Sequence, residues 1–210
     1  MPDSATLTMF LVASLMLVVT PGPAVMYVVA RGLHQGRPAG LVSALGIEVG
    51  TLVHVLLATL GVSALLVSSG LAFTLVKYLG AAYLICLAVR TFQHREQVAQ
   101  VEGGTSTRSL GRLFAHGVAV EILNPKTALF FIAFLPQFVD PTSGSVERQM
   151  LVLGALFILL AIIIDSVYGL LSGTLSGWLK GRPRFLAGQR YVSGCTYMLL
   201  ALMMALPGAG

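Results

Sequence analysis

The sequence predicts an all-α membrane protein of six transmembrane helices, built as two inverted three-helix repeats whose first helices are each broken at a proline motif. Three observations predict this. The 210 residues are 56% hydrophobic and only 10% charged, where soluble domains carry about 25% charged residues. Six apolar runs lie near the length that a bilayer-spanning helix needs, about 20 residues. Two polar breaks, Thr20-Pro21-Gly22-Pro23 and Asn124-Pro125-Lys126, fall at corresponding points of the two halves.

The apolar runs cover residues 7–30, 39–67, 71–89, 113–139, 150–171 and 190–206. The second is long enough to tilt, and the last is short. The stretch 90–112 is the long polar connector, with Gln93, His94, Arg95, Glu96, Gly103 and Gly104, and reads as a flexible link outside the membrane. The chain is therefore expected to form one transmembrane domain: a first repeat over 1–92, a linker over 93–112 and a second repeat over 113–210. The N-terminal run has no Lys or Arg before Arg31 and exceeds a signal-peptide core, so it reads as a retained helix.

Charge supports the count of six. Six spans put three loops opposite both termini, and those loops hold Arg31 and Arg37, then Arg90, Arg95, Arg108 and Arg112, then Lys180, Arg182, Arg184 and Arg190. That is ten of the 13 basic residues. Lys77 and Arg148 fall on the other face, and Lys126 lies within a span. The positive-inside rule then places both termini on the non-cytoplasmic side, and five or seven spans would scramble the bias. The pI of about 9.6 thus reports topology, not a nucleic-acid footprint.

The halves match in order and spacing. Thr20-Pro21-Gly22-Pro23-Ala24 pairs with Asn124-Pro125-Lys126-Thr127-Ala128, and Lys77-Tyr78 with Arg190-Tyr191, at offsets of 104 and 113 residues. After three crossings the second copy enters from the opposite face, so the halves are inverted about an axis in the membrane plane. Secondary transporters are often built this way, with the binding site near the midplane at the break in discontinuous helices.

Proline lacks a backbone N–H and clashes with the carbonyl four residues earlier. Pro21, Pro23 and Pro125 are therefore expected to free the carbonyls of Leu17, Val19 and Glu121. Unpaired carbonyls survive at membrane depth only where protein or a water-filled cavity surrounds them. Gly22 adds backbone freedom and permits close approach. The N–H ends of the segments after the breaks suit a carboxylate, and the freed carbonyls suit an ammonium group, so a zwitterion fits both. Thr20, Pro21, Gly22, Pro23, Asn124, Pro125 and Lys126 are the candidate substrate-binding residues. A pair of packing kinks is the plainer alternative, but two polar breaks at matching positions argue against it.

Ionisable residues inside spans are costly and usually face a cavity or a partner. They are Glu48, His54, Glu121, Lys126 and Asp165. At 1.5 Å per residue, Glu48 and Glu121 lie roughly 12–14 Å from the cytoplasmic ends of their helices, near the midplane. Glu121 is the leading candidate for proton coupling, because it precedes the second break by one turn and low dielectric favours a neutral carboxyl. Asp165 follows, with Tyr168 on its own helix face. The alternative for Glu121 is a standing counter-ion to Lys126. Glu48 is the third proton-coupling candidate, but it lies within Gly46-x-x-x-Gly50, a small-residue packing motif, and reads first as a helix–helix contact. His54 reads as a packing residue, and its depth in helix two pairs it with Asp165 in helix five.

These residues resemble the LysE/RhtB superfamily of amino-acid exporters over nearly the whole chain. The resemblance is carried by Val19-Thr20-Pro21-Gly22-Pro23, by Lys77-Tyr78-Leu79-Gly80-Ala81-Ala82-Tyr83-Leu84, and most distinctively by the run from Asn124-Pro125-Lys126-Thr127-Ala128 through Phe134-Leu135-Pro136-Gln137-Phe138. It implies proton-driven efflux of neutral amino acids or close derivatives, of threonine, homoserine or leucine type, across a bacterial-type inner membrane. The roles of Glu48 and Glu121 rest on the physical argument instead.

Other functions fit less well. Ser43 and His54 are eleven residues apart on one helix, about 16 Å, too far to act as a nucleophile–base pair, and no motif ties His54 to Ser166. Cys86 and Cys195 form no CxxC pair, occupy non-equivalent positions and read as buried packing residues. Export of a metal or other small ion is the alternative function and would need Glu48, His54 and Asp165 to converge. No catalytic residue, bound metal or cofactor is expected. The expected partners are the amino acid, protons and lipid, with a homodimer suggested by the small-residue faces.

Overall fold

The computed structural model describes residues 3–68, 70–93, 108–174, 191 and 194–203. Every regular element among them is helical. The order is α1 (Ser4–Val19), α2 (Pro23–Gln35), α3 (Arg37–Ser68), α4 (Gly70–Gln93), α5 (Leu110–Ile122), α6 (Pro125–Leu129), α7 (Val146–Thr174) and α8 (Gly194–Met203). Most of the predicted linker, the basic residues Arg95, Lys180, Arg182, Arg184 and Arg190, and both ends of the sixth apolar run lie outside the described residues.

Residues Arg37–Gly61 of α3 and all of α7 are each long and apolar enough to cross a bilayer. The pairs α1–α2 and α5–Pro125–Phe138 qualify as bent units, with bends of 49° and 47°. Among the described residues, up to four crossings follow by length and composition when each bent pair counts as one. Helices α4 and α8 fall where the third and sixth apolar runs were read. Large apolar side chains such as Leu57, Leu60, Leu159 and Ile163 are exposed on α3 and α7, as a lipid-facing surface requires.

Local chemistry sets the helix ends. Asp3 caps α1 by accepting from the Thr6 amide at 2.7 Å. Pro23 and Pro125 occupy the first positions of α2 and α6, where a missing N–H costs nothing. Gly36, with φ 82°, turns the chain from α2 directly into α3. Pro136 cannot donate to the Ile132 carbonyl, and the ladder around it rearranges. The segment Phe130–Phe134 is a π turn and Leu135–Phe138 a 3₁₀ turn. Gln137 then donates to the Ala133 carbonyl at 2.8 Å. Before α7, Asp140 accepts from Ser143, Thr142 and the Thr142 amide, and these bonds hold its carboxyl down at about 2.

Two packing regions hold the helices together. The π segment buries Phe130, Phe131 and Phe134 against Phe10 of α1, Phe138 and Phe157 of α7, with ring centroids 5.0–6.3 Å apart. Near the basic loops the helices meet through glycines. A Cβ on Gly40 of α3 would stand 2.7 Å from the Gly169 carbonyl oxygen of α7. Gly46 and Gly50 place α3 against Phe114 and Glu121 of α5. The Gly46-x-x-x-Gly50 motif thus packs α3 on α5, whereas Glu48 faces the cavity described below.

Overpacking a tight interface costs about 1–3 kcal/mol. Gly40→Val should therefore lower the thermal midpoint of the detergent-purified protein. Gly61→Ala should not, because nothing lies within 4 Å of its added methyl. Equal midpoints for the two variants would mean that α3 and α7 do not touch at Gly40.

Candidate substrate site at the two helix breaks

In the first break, Thr20 leaves α1 with extended backbone, and Gly22 precedes α2 without a side-chain cap of its own. The carbonyls that Pro21 and Pro23 deprive are both supplied. Leu17 accepts from the Thr20 amide at 3.2 Å, and Val19 accepts from the Tyr168 hydroxyl of α7 at 2.9 Å.

The second break repeats the arrangement. The Glu121 carbonyl, deprived by Pro125, accepts from the Asn124 amide at 2.9 Å and pairs with His54 Nε2 of α3 at 2.8 Å. A carbonyl only accepts, so Nε2 carries the proton in this contact. Asn124 caps α6 by accepting from the Lys126 amide at 3.2 Å, while its Nδ2 donates to Glu121 Oε2 at 2.9 Å and to Thr127 Oγ1 at 3.1 Å.

Pro23 and Pro125 each open a helix. Tyr168 and His54 each cap the carbonyl four residues before one of these prolines. The capping is crosswise: α3 serves the second break and α7 the first. Its reason is that a deprived carbonyl in a dry interior takes the nearest donor, and the neighbouring long helix provides it.

A small cavity, open at a mouth, lies between the breaks. Its polar lining is Glu48, Thr51, Glu121, Asn124, Lys126 and Asp165, with Thr127. Lys126 Nζ crosses from the second break to the first and donates to the Thr20 carbonyl at 2.7 Å. Gly22 makes room for it, since a Cβ there would lie 3.3 Å from Lys126 Cδ. The ammonium also stands 6.0 Å from the centre of the Tyr197 ring, a cation–π distance.

The three cavity carboxyls differ. Glu121 is bonded on both oxygens, to Asn124 Nδ2 and, at 3.3 Å, to Thr51 Oγ1. Both oxygens of Glu48 and Oδ1 of Asp165 are buried with no hydrogen-bond partner, and these two carboxyls come within hydrogen-bonding reach of each other. Lys126 feels the charge of Glu121 and Asp165 but spends its close contact on Thr20.

Thr20, Glu48, His54, Glu121, Asn124, Lys126 and Asp165 are thus brought together, all under 10% exposed. The deprived carbonyls, read as an ammonium site, already have protein donors. Thr51 and Tyr197 were missed. Thr51 lies one turn beyond Glu48, and that spacing was the signal available. Cys86 and Cys195 are exposed, not buried, because an apolar run can face lipid as well as protein. Among the described residues no three His, Cys, Asp or Glu side chains gather to hold a metal ion.

The sequence model of the LysE type translocator family matches residues 15–208. The chain belongs to that family. A homoserine/homoserine lactone efflux protein of Salmonella typhimurium strain LT2 is 29% identical over 196 residues, covering 93% of this chain and 94% of that protein. An uncharacterized membrane protein of Vibrio cholerae serotype O1 is 29% identical over 198 residues, with 93% and 94% covered. Another of Bacillus subtilis strain 168 is 33% identical over 156 residues, with 70% and 74% covered. No solved structure matches the chain. This LysE-type chain is accordingly a membrane protein of a transport family.

The crosswise caps can be tested by truncation. Hydrogen bonds between membrane helices are worth about 0.6 kcal/mol on average and up to about 1.7. Tyr168→Phe and His54→Phe should each destabilise the protein by roughly that amount in unfolding titrations, leaving the Val19 or Glu121 carbonyl short of a donor. A Tyr168→Phe variant as stable as the parent would show that the hydroxyl does not cap the first break.

Proposed function

We propose that the chain exports neutral amino acids or close derivatives, of threonine, homoserine or leucine type, by exchange with protons. The observation that carries this reading is the polar cavity at two broken helices, bridged by the Lys126 ammonium on the Thr20 carbonyl. In this reading the chain has six spans in two inverted repeats, 1–92 and 113–210, joined by a cytoplasmic linker over 93–112. It sits in a bacterial inner membrane with both termini outside the cytoplasm. The crosswise caps from His54 and Tyr168 support the inverted repeat, because a two-fold axis in the membrane plane exchanges such contacts.

The cavity suits a small solute with one positive group. Thr20, Pro21, Gly22, Pro23, Asn124, Pro125 and Lys126 are the candidate substrate-binding residues, of which Asn124 and Lys126 line the cavity, and Glu48, Glu121 and Asp165 are the candidate proton carriers. Helix α2 enters with no side-chain cap, so its N-terminus favours a substrate carboxylate. The relatives named for homoserine and homoserine lactone point the same way on size. Those two molecules share an α-ammonium group, while the lactone has no free carboxylate, so the ammonium is the handle common to both.

Proteoliposomes loaded with radiolabelled threonine, homoserine or leucine should release at least one of them faster under an imposed pH gradient. A charge-assisted hydrogen bond is worth about 1.5–3 kcal/mol, so Lys126→Met should slow that release about tenfold or more at equal protein. Retention of all three amino acids under gradients of either sign would refute the exporter reading.

A further inference from the structure

Glu48 and Asp165 stand apart from the rest of the site. Glu48 is 5% exposed and Asp165 3% exposed. They come from α3 and α7, the two long apolar helices, and both line the cavity. Three of their four oxygens are buried without a partner, although the carboxyls lie within hydrogen-bonding reach of each other. Two bare carboxylates side by side in low dielectric repel, and neither brings a donor. Something positive must sit between or beside them. The carbonyls of Leu17, Val19, Thr20 and Glu121 at the breaks are supplied by their own donors, and the Glu121 carboxyl by Asn124 and Thr51.

We propose that the Glu48–Asp165 carboxyl pair is the coupling site, holding either one shared proton or the primary ammonium group of the substrate, but not both. This deepens the exporter reading and rests on it for the substrate half. A shared proton joins one oxygen of each carboxyl in a single O–H···O bond. A primary ammonium brings three donors and meets the same oxygens. Because both occupants need the same lone pairs, entry of one expels the other, and exchange follows without a separate relay. Glu121 is a fixed anchor in this scheme, since its bonds to Asn124 and Thr51 keep it tied to the break.

Among the described residues, the titratable and charged groups on the surrounding helices are these. Helix α5 brings Glu121, and α6 brings Lys126, the cation whose charge reaches Asp165. Helix α7 adds Tyr168, whose hydroxyl is engaged by Val19. Helix α3 adds His54, engaged by the Glu121 carbonyl. Helix α2 holds Arg31 over the Tyr27 ring at 5.4 Å. None of these supplies the missing donor.

Two measurements on the full-length protein in detergent decide the matter. In infrared spectra at neutral pH, a protonated-carboxyl band should be present, shift in heavy water, and vanish in the Glu48→Gln, Asp165→Asn double variant while surviving in Glu121→Gln. Each single amide variant supplies its own donor to the remaining carboxylate, so it should fold and also lack the band. Under weak buffering with a pH-indicator dye, L-homoserine should release one proton per molecule bound, and N-acetyl-homoserine, which has no ammonium group, should release none. Absence of the band, or its persistence in the double variant, overturns the shared proton. Binding of homoserine without proton release, or release unchanged in Glu48→Gln, overturns the competition. If homoserine neither binds nor is carried, the exporter reading and the ammonium half fall together, and the infrared band still decides the proton half.

Discussion

A helix that opens with proline inside a membrane leaves one carbonyl without its donor, and the rest of this structure is arranged around two such carbonyls. Water is absent from hydrocarbon, where each unmet backbone group costs several kcal/mol. The donors must therefore come from side chains on other helices. His54 and Tyr168 are those side chains. Their positions tie α3 to the second break and α7 to the first. The two helices most able to cross a bilayer unaided thereby hold the two that are broken. Glycine contacts such as Gly40 with Gly169 bring the supporting helices close enough for a single side chain to reach.

The same satisfaction rule separates frame from site. Once the break carbonyls are capped, they no longer compete for a ligand. Lys126 completes the frame by spanning from one break to the other, with the Tyr197 ring beside its ammonium. A buried ammonium is costly unless bonded and near negative charge, and here Thr20 and the field of Glu121 and Asp165 meet both needs. What the frame leaves unmet is the carboxyl pair on α3 and α7, the helices that support the breaks.

Depth along the helices was legible in the sequence, and rotation about them was not. Proline and ionisable side chains are rare events in an apolar run, so each marks a level: the breaks, Glu48, His54, Glu121 and Asp165 all stand out that way. The described helices coincide with the six runs, in whole or in part. Which face a residue presents needs a polar–apolar stripe, and a helix wetted by lipid outside and packed by glycine inside has none. Hence Glu48 looked like part of the α3–α5 contact but turns to the cavity, and Cys86 and Cys195 looked buried but are exposed. The π turn at Phe130–Phe134 had a readable cause in Pro136. Its form depended on how the ring cluster with Phe10 and Phe157 packed, which no local rule supplies.

Charge counting gives the carboxyl pair its last constraint. The cavity holds three carboxyls and the Lys126 ammonium. With His54 neutral, the fully deprotonated site carries two net negative charges. One proton on the Glu48–Asp165 pair removes one of them. One substrate ammonium in its place brings the same positive charge to the pair, while the carboxylate of an amino acid is met apart from it, at the uncapped N-terminus of α2. The charge at the pair itself is then equal with either occupant, and Coulomb energies at these separations are large in low dielectric. A swap that keeps one positive charge on the pair avoids that cost, whereas an empty pair incurs it in full. The membrane interior itself thereby penalises movement with the pair unoccupied, which is the condition that tight exchange between a proton and a cationic group requires.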